Sequence, residues 1–191
     1  MSRIIAGRLA SRRLATVPGT ATRPTTDRVR ESVFAFLAAR LGTAGDDPAR
    51  QLAGLRFLDL YGGSGAVGLE AASRGATVTW VEKQPAALAV IRANVAALGV
   101  TGTVVGADVH RFAQGTPRPY DIAWLDPPYD TPSGDLTRLI GVLDDRGWLA
   151  PGALVLVERA ARASALEFPF SVLNVGERRS GDTVVVVGEK G

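Results

Sequence analysis

Residues 56–68 read RFLDLYGGSGAVG and decide the fold class. The stretch is an apolar run, predicted as a strand over 56–61, that ends in a glycine-rich turn and continues into a helix predicted over 66–73. Glycines allow the backbone to turn sharply and allow a ligand to approach it closely. Because doubly wound sheets bind ligands at the carboxyl ends of their strands, the stretch predicts a ligand site directly after the first strand of such a sheet.

Strand and helix patterns alternate over the rest of the chain. Further strands are predicted at 77–82, 103–106, 122–125 and 153–157, and further helices at 85–98 and 136–146. Continuous apolar strands separated by helices imply a parallel sheet covered on both faces. The tail differs, since 168–175 and 183–187 read as an antiparallel pair joined through 176–181. A mostly parallel, Rossmann-like sheet that ends in an antiparallel hairpin predicts an α/β fold of the class I methyltransferase type.

The 191 residues are about one domain long, and the patterning divides them into three segments. Residues 1–24 are predicted as a basic N-terminal hairpin or arm. Residues 25–51 are predicted as a lead-in helix, over 27–41, and a hinge. Residues 52–191 are predicted to form the methyltransferase domain.

The composition excludes several classes of protein. There is no cysteine and only one histidine, which excludes disulfide scaffolds, thiolate metal sites, cysteine nucleophiles and histidine-rich metal centres. No apolar run approaches the roughly 18 residues of a membrane span. We therefore expect a cytoplasmic protein with no metal ion and no membrane partner. We also expect a monomer.

The charge is concentrated at the N-terminus. Residues 1–30 hold seven arginines and one acid, a net charge of +6, whereas the remaining residues carry −3. A basic segment on a mildly acidic body indicates a polyanionic partner such as nucleic acid. An organellar transit peptide, or arginine-rich genome composition, would also explain the pattern. The candidate RNA contacts are Arg3, Arg8, Arg12, Arg13 and Arg23.

The glycine-rich turn is compatible with two kinds of cofactor. Gly63, Gly65 and Gly68 satisfy the GxGxxG spacing, and Glu82 follows at the end of the second strand, so a nicotinamide cofactor fits this segment alone. Asp59 is predicted to lie at the mouth of the pocket, where a carboxylate favours a cationic ligand such as S-adenosylmethionine over a pyrophosphate. A glycine-rich turn without a ligand is the remaining alternative.

Asp108 ends the third strand in register with the acids after the first two. A carboxylate there can accept a hydrogen bond from the amino group of an adenine ring, although a solvated loop acid is an equal interpretation. His110 is interpreted as a loop residue without a catalytic role, because no nucleophile or metal ligand accompanies it in the sequence.

The most specific segment is Asp126-Pro127-Pro128-Tyr129, directly after the fourth strand. Two prolines fix the backbone and remove two amide donors, so that carbonyl acceptors remain beside the Asp126 carboxylate. These acceptors suit an exocyclic amino group, and Tyr129 offers a face on which a base can stack. Acceptors on both N–H groups can pyramidalise the amine and direct its lone pair at a methyl donor. The alternative is a strand end that Asp126 merely caps.

This motif and others make the chain resemble the RsmD-type bacterial 16S rRNA guanine-N2 methyltransferases over nearly its whole length. The matching segments are 3–7, 23–34, 58–65, 73–76 and 125–129. Two departures are Tyr61-Gly62, where Phe-Ala or Phe-Cys is expected, and Ser180, where a tyrosine is common.

The resemblance implies that S-adenosylmethionine binds in the crevice and that Asp126, Pro127, Pro128 and Tyr129 are the catalytic residues. It also implies that the substrate is 16S rRNA within the small ribosomal subunit. The resemblance implies cofactor contacts from the Thr25–Glu31 region, Gly63, Glu82 and Asp108. Together with the glycine-rich turn and the acids after the strands, it predicts these cofactor-binding residues: Thr25, Arg28, Glu31, Asp59, Tyr61, Gly63, Ser64, Gly65, Glu82, Lys83, Asp108 and Val109.

The sequence therefore predicts methyl transfer to the N2 of a guanine that has left its stack. A DNA adenine-N6 methyltransferase is the nearest alternative, although little of the chain remains for reading a DNA site. A nicotinamide-dependent oxidoreductase would leave Asp126–Tyr129 without a purpose. A catalytically silent RNA-binding module is disfavoured by the acids that follow the strands.

Overall fold

The elements follow the predicted alternation of strand and helix over residues 2–18 and 25–191, which are the residues that the computed structural model describes. The strands are β1 Ser2–Arg3, β2 Arg13–Leu14, β3 Arg56–Leu60, β4 Thr77–Glu82, β5 Gly102–Gly106, β6 Tyr120–Leu125, β7 Leu149–Ala160, β8 Val172–Ser180 and β9 Thr183–Lys190. The helices are α1 Asp27–Arg40, α2 Ala66–Ser73, α3 Pro85–Leu98, α4 Val109–Ala113 and α5 Ser133–Asp145, with a 3-10 turn at Pro48–Arg50. Within these described ranges, no helix combines the length and hydropathy that crossing a membrane requires.

Seven strands form one sheet in the order β5-β4-β3-β6-β7-β9-β8. The strands from β3 to β7 run parallel, and β9 pairs antiparallel with both β7 and β8. The predicted α/β fold, with its parallel core and final hairpin, is thereby confirmed. Because β3, β4 and β6 are covered on both faces, their residues are almost continuously buried.

Two apolar clusters fill the two faces of the sheet. On one face, α1 contributes Val33, Phe34 and Leu37 to a cluster that also contains Trp80 and Trp124. On the other face, α4 and α5 pack against the strands. Helix α1 therefore shares a core with the sheet, and it begins at an N-cap in which the Thr26 hydroxyl accepts from the Val29 amide.

The N-terminal residues form a short hairpin, β1–β2, that is anchored to the last turns of α2. The backbone N–H groups of Ile5 and Ala6 donate to the buried Glu70 carboxylate at 2.7 and 3.0 Å. The Leu9 amide donates to Ser73 Oγ at 3.0 Å. Ile4 is fully buried in the core. The hairpin is thus part of the packed molecule over the residues that the structure describes.

Three details of the prediction are wrong. His110 lies in α4 and not in a loop. The strand β8 occupies 172–180 and not 168–175, so the residues predicted to join the tail strands are mostly strand, and the turn falls at Gly181 instead. The strand β7 extends well beyond 153–157 at both ends.

Candidate active site

A crevice of about 1010 Å³ opens at the carboxyl ends of the parallel strands. The loops after β3, β4, β5 and β6 form its walls, together with the chain around 16–18 and 25–27. The predicted site residues that line it are Thr25, Asp59, Tyr61, Gly63, Ser64, Glu82, Lys83, Asp108, Val109, Asp126, Pro127, Pro128 and Tyr129. The fold therefore brings together side chains from five separate parts of the sequence.

Three predicted cofactor-binding residues do not line the crevice. Arg28 and Glu31 are exposed on α1, because the helix uses the face that contains Val29 and Val33 for packing and leaves theirs to solvent. Gly65 is buried beneath the glycine-rich loop, where its left-handed backbone helps to shape the loop.

The glycine-rich loop is held by hydrogen bonds to its neighbouring strand. The Gly63 amide donates to Glu82 Oε2 at 2.9 Å, and Trp80 Nε1 donates to the Gly65 carbonyl at 3.3 Å. Gly65 has a φ of +79°, which other residues adopt only with strain. A Cβ atom at Gly68 would lie 2.2 Å from Trp80 Nε1. The loop therefore needs glycine for its conformation at one position and for space at the other.

Asp59 lies on the floor of the crevice and not at its mouth, the place that the sequence suggested. It is 2% exposed, and its Oδ2 accepts from the Gly68 amide at 2.9 Å. Burial raises the pKa of Asp59 well above its usual value; the Gly68 hydrogen bond opposes this shift, and the nearby Asp126 and Glu82 add to it. An uncompensated buried acid of this kind favours a cationic ligand.

Asp108 has a different environment. Its side chain caps α4 by accepting from the His110 amide at 2.9 Å, and Lys83 Nζ lies 3.4 Å from its other oxygen. Slight burial raises its pKa, but these two hydrogen bonds and the charge of Lys83 outweigh burial, so the pKa of Asp108 is lowered overall. Tyr61 lines the crevice nearby in a left-handed conformation, and burial followed by the charge of Asp108 raises its pKa to about 12.

The motif Asp126–Tyr129 forms the edge of the crevice beside the glycine-rich loop. Pro127 is buried, whereas Tyr129 is 50% exposed. Thr25 Oγ1 lies 3.2 Å from Asp126 Oδ2 and 2.8 Å from Oε2 of a second acid, Glu158. Burial raises the pKa of Asp126 to about 6, although the Thr25 hydrogen bond lowers it.

Sequence reasoning missed Glu158 and the segment around 16–18. Glu158 follows the apolar run of β7 directly, and an acid at the carboxyl end of the fifth parallel strand is the signal that could have indicated it. Asn94 of α3 ties the N-terminal segment to the glycine-rich loop, because it bonds both backbone groups of Ala15 and the Ser64 carbonyl at 2.9–3.0 Å. No sequence pattern indicated that contact.

The predicted RNA-contacting arginines lie on the surface of the hairpin and not in the crevice. Arg8 Nε and an Arg12 guanidinium nitrogen each lie 3.5 Å from a carbonyl in the last turns of α2 and α3, at the helix ends opposite the crevice. Arg3 is 3.7 Å from Asp27, and Arg13 is exposed. Arg23 lies outside the described residues.

The strand order and the glycine-rich crevice together define a class I S-adenosylmethionine-dependent methyltransferase fold. The chain belongs to the RsmD-type family: the family profile described as Conserved hypothetical protein 95 matches residues 2–189. Over the described residues, no group of three or more acids or histidines is placed to hold a metal ion.

Individual relatives agree with this membership. The chain is 37% identical over 158 residues to Ribosomal RNA small subunit methyltransferase D of Escherichia coli, which covers 82% of this chain and 73% of that protein. It is 28% identical to the Bacillus subtilis protein YlbH over 98% of both chains. A solved structure of the Escherichia coli protein yhhF superposes with a TM-score of 0.83 at 32% identity, covering 99% of this chain and 97% of that one.

Proposed function

We propose that this protein transfers a methyl group from S-adenosylmethionine to the exocyclic N2 of a guanine in 16S rRNA of the small ribosomal subunit, in the cytoplasm. The observation that carries the proposal is the position of Asp126–Tyr129 at the edge of the crevice, next to the glycine-rich loop. An acceptor for an amine and a binding site for a methyl donor thus share one cavity. The name of the Escherichia coli relative supports rRNA of the small subunit as the substrate.

The crevice has the features that the cofactor requires. Asp59 is a buried acid suited to a cation, Glu82 is suited to ribose hydroxyls, and Asp108 is suited to an adenine amino group. The loop at Gly63 allows close approach of a ligand to the backbone. When bound, S-adenosylmethionine supplies an electrophilic methyl group on a positively charged sulfur.

The residues of the Asp126 motif prepare the amine. The lone pair of a guanine amino group is delocalised into the ring, so the nitrogen is a poor nucleophile until it is rotated and pyramidalised. The Asp126 carboxylate and the Pro127 carbonyl accept hydrogen bonds from the two N–H groups of the amine. Tyr129 stacks on the base and fixes the plane of the ring. The N–CH₃ bond forms as the S–CH₃ bond breaks, and the nitrogen then loses one proton to water.

The basic hairpin holds the RNA on the outside of the molecule. Its arginines are exposed on one side of the body, and neutralising phosphate groups in this way supplies affinity without sequence specificity. Since Arg8 and Arg12 lie at the far ends of α2 and α3, the RNA that they contact extends well beyond the flipped base.

Parallel assays with different nucleic acids test this proposal. The protein is incubated with labelled S-adenosylmethionine and, separately, with small-subunit particles lacking their methyl groups, large-subunit particles and duplex DNA. We expect label in the small-subunit RNA alone. Label in duplex DNA, or equal label in both subunits, would contradict the proposed substrate.

A further inference from the structure

A buried carboxyl group on β7 lies next to the Asp126–Tyr129 edge of the crevice. It has no role in the function described so far. Glu158 is 4% exposed, and its Oε2 lies 2.8 Å from Thr25 Oγ1. The same Thr25 oxygen lies 3.2 Å from Asp126 Oδ2. One hydroxyl group therefore connects two carboxyl groups, one of which faces the crevice.

The number of protons restricts this arrangement. A hydroxyl carries a single proton, so Thr25 can donate to only one of the two carboxyl groups and must accept from the other. If both acids were ionised, one carboxylate oxygen would face a lone pair of the Thr25 oxygen in a buried site. The geometry is satisfied when one acid is protonated and donates to Thr25.

We assign the proton to Glu158 on two grounds, the direction of its pKa shift and its deep burial. Burial, followed by the charge of Asp126, raises the pKa of Glu158 to about 8 against the opposing effect of the Thr25 hydrogen bond, and burial raises the pKa of Asp126 to about 6. Between these values the pair carries one proton, located mainly on Glu158. Glu158 is the more deeply buried of the two, whereas Asp126 opens onto the crevice.

Over residues 2–18 and 25–191, Thr25 Oγ1 is the one hydrogen-bond partner of the Glu158 carboxyl. Arg159 is next on β7, but its guanidinium donates to Ser133 Oγ and to the Thr131 carbonyl. On the neighbouring strand β9, the residue opposite is Val185. The charge that acts on Glu158 is that of Asp126, which also raises the pKa of Asp59.

We propose that Glu158 is a positioning residue for methyl transfer: it donates its proton to Thr25 Oγ1 and so directs the Thr25 hydroxyl proton onto Asp126 Oδ2. This hydrogen bond fixes the orientation of the Asp126 carboxylate and leaves its second oxygen for the substrate amine. The inference rests on the proposed role of Asp126 as the amine acceptor. It does not depend on which base carries the amine.

A titration that needs no substrate tests the location of the proton. The carboxyl carbons of glutamate are labelled with ¹³C, and their NMR shifts are followed with pH in the parent protein and in Glu158→Gln. We expect one glutamate resonance that titrates near pH 8 and is missing from Glu158→Gln. If the resonance assigned to Glu158 titrates below pH 6, the proposal is wrong.

Single-turnover methylation at saturating cofactor tests the positioning role. Glutamine keeps an N–H donor toward Thr25 and cannot ionise, so Glu158→Gln should stay within about threefold of the parent rate at pH 7. The parent rate should fall above pH 8 as the second proton leaves the pair, and Glu158→Gln should not show this fall. Glu158→Leu removes the donor, and we expect a rate about 10- to 100-fold lower, because misplacement of a reacting group has effects of this size.

A matched control is Glu189→Gln on β9, where the glutamate pairs with Arg40 on the surface. It should keep the parent rate and the parent fall above pH 8. Equal rates for Glu158→Gln and Glu158→Leu, or an unchanged alkaline fall in Glu158→Gln, would overturn the positioning role. If the parent protein methylates a base other than guanine, the proposed function fails while this comparison of variants still stands or falls on its own.

Discussion

Asp59 is the residue that best shows how burial makes this crevice suited to a cationic ligand. In the protein without ligand its pKa is raised by burial and by the acids around it. A bound cation stabilises the ionised form, so the pKa must fall when the cofactor binds. A side chain that sequence reasoning placed at the mouth of the site thus acts from the floor.

We therefore expect S-adenosylmethionine binding to release a proton and to strengthen as pH rises. The sign follows from linkage: the pKa of Asp59 is higher in the free protein than in the complex, so below the free-state pKa protonation competes with binding. The affinity should rise by up to about tenfold per pH unit in that range. Calorimetry in two buffers of different ionisation enthalpy measures the released proton, which should be missing in Asp59→Asn. Affinity that falls as pH rises would contradict this role.

Asp126 provides the second prediction at this scale. Even with a pKa of about 6, its carboxylate is far too weak a base to deprotonate a ring-conjugated amine before transfer, so we assign it the role of acceptor. Asp126→Ala should lower the single-turnover rate by about 10²–10³. Asp126→Asn keeps a carbonyl acceptor in the same place and should retain much more activity. If both variants bind cofactor and RNA normally and asparagine is as inactive as alanine, the negative charge itself is required.

At the level of single residues, the sequence correctly indicated the crevice acids that lie at the ends of strands. Asp59, Glu82, Asp108 and Asp126 all line the crevice, because the carboxyl ends of parallel strands meet at one edge of the sheet. The position of Glu158 directly after the apolar run of β7 could have indicated it, but its hydrogen bond with Thr25, 133 positions away in the chain, could not be predicted.

At the scale of elements, the loop between β3 and α2 is the part of the fold on which ligand binding depends. Gly65 has a left-handed backbone, and a Cβ atom there would lie 3.3 Å from Trp80 Nε1. A β-branched side chain would therefore be both strained and crowded, and the strain alone costs about 1–2 kcal/mol.

We expect Gly65→Val to abolish cofactor binding, as measured by calorimetry, and to lower the unfolding midpoint. Gly45→Val is the matched control, because Gly45 has open space around it. The control should bind cofactor as the parent does. Normal cofactor affinity in a folded Gly65→Val variant would show that the loop does not approach the ligand.

The elements themselves were predictable where periodicity is strong. The bounds of β4, α2 and α3 agree with the sequence patterns, because long apolar runs and periodic helices are packed in the core. The helix α4 was missed because five residues are too short to show a period. The strand β8 was misplaced because it is an edge strand, and its exposed residues carry charges that resemble a loop.

At the scale of the whole molecule, the basic hairpin and the acids of the crevice lie in different places. The basic hairpin packs against α2 on one face of the sheet, whereas α4 and α5 cover the other. The acids that line the crevice repel phosphate groups, so under the proposed function we expect the RNA backbone to be held elsewhere, on the basic hairpin.

Neutralising Arg8, Arg12 and Arg13 to glutamine should weaken RNA binding and leave cofactor affinity nearly unchanged. Each lost phosphate contact should reduce the slope of log affinity against log salt by about one. The matched control replaces three arginines of the opposite face, Arg111, Arg138 and Arg146, and should keep the parent slope. An unchanged slope in the hairpin variant would mean that these arginines do not contact RNA.

The identity of the methylated nucleoside tests the central claim most directly. Small-subunit particles are methylated with isotopically labelled S-adenosylmethionine, the RNA is digested, and the nucleosides are separated by mass spectrometry. We expect the label in N2-methylguanosine, at no more than one residue per particle. Label in N6-methyladenosine, or in any nucleoside methylated on a ring carbon or a ribose, would contradict the assignment of Asp126 and its neighbours as the acceptors of a guanine amino group.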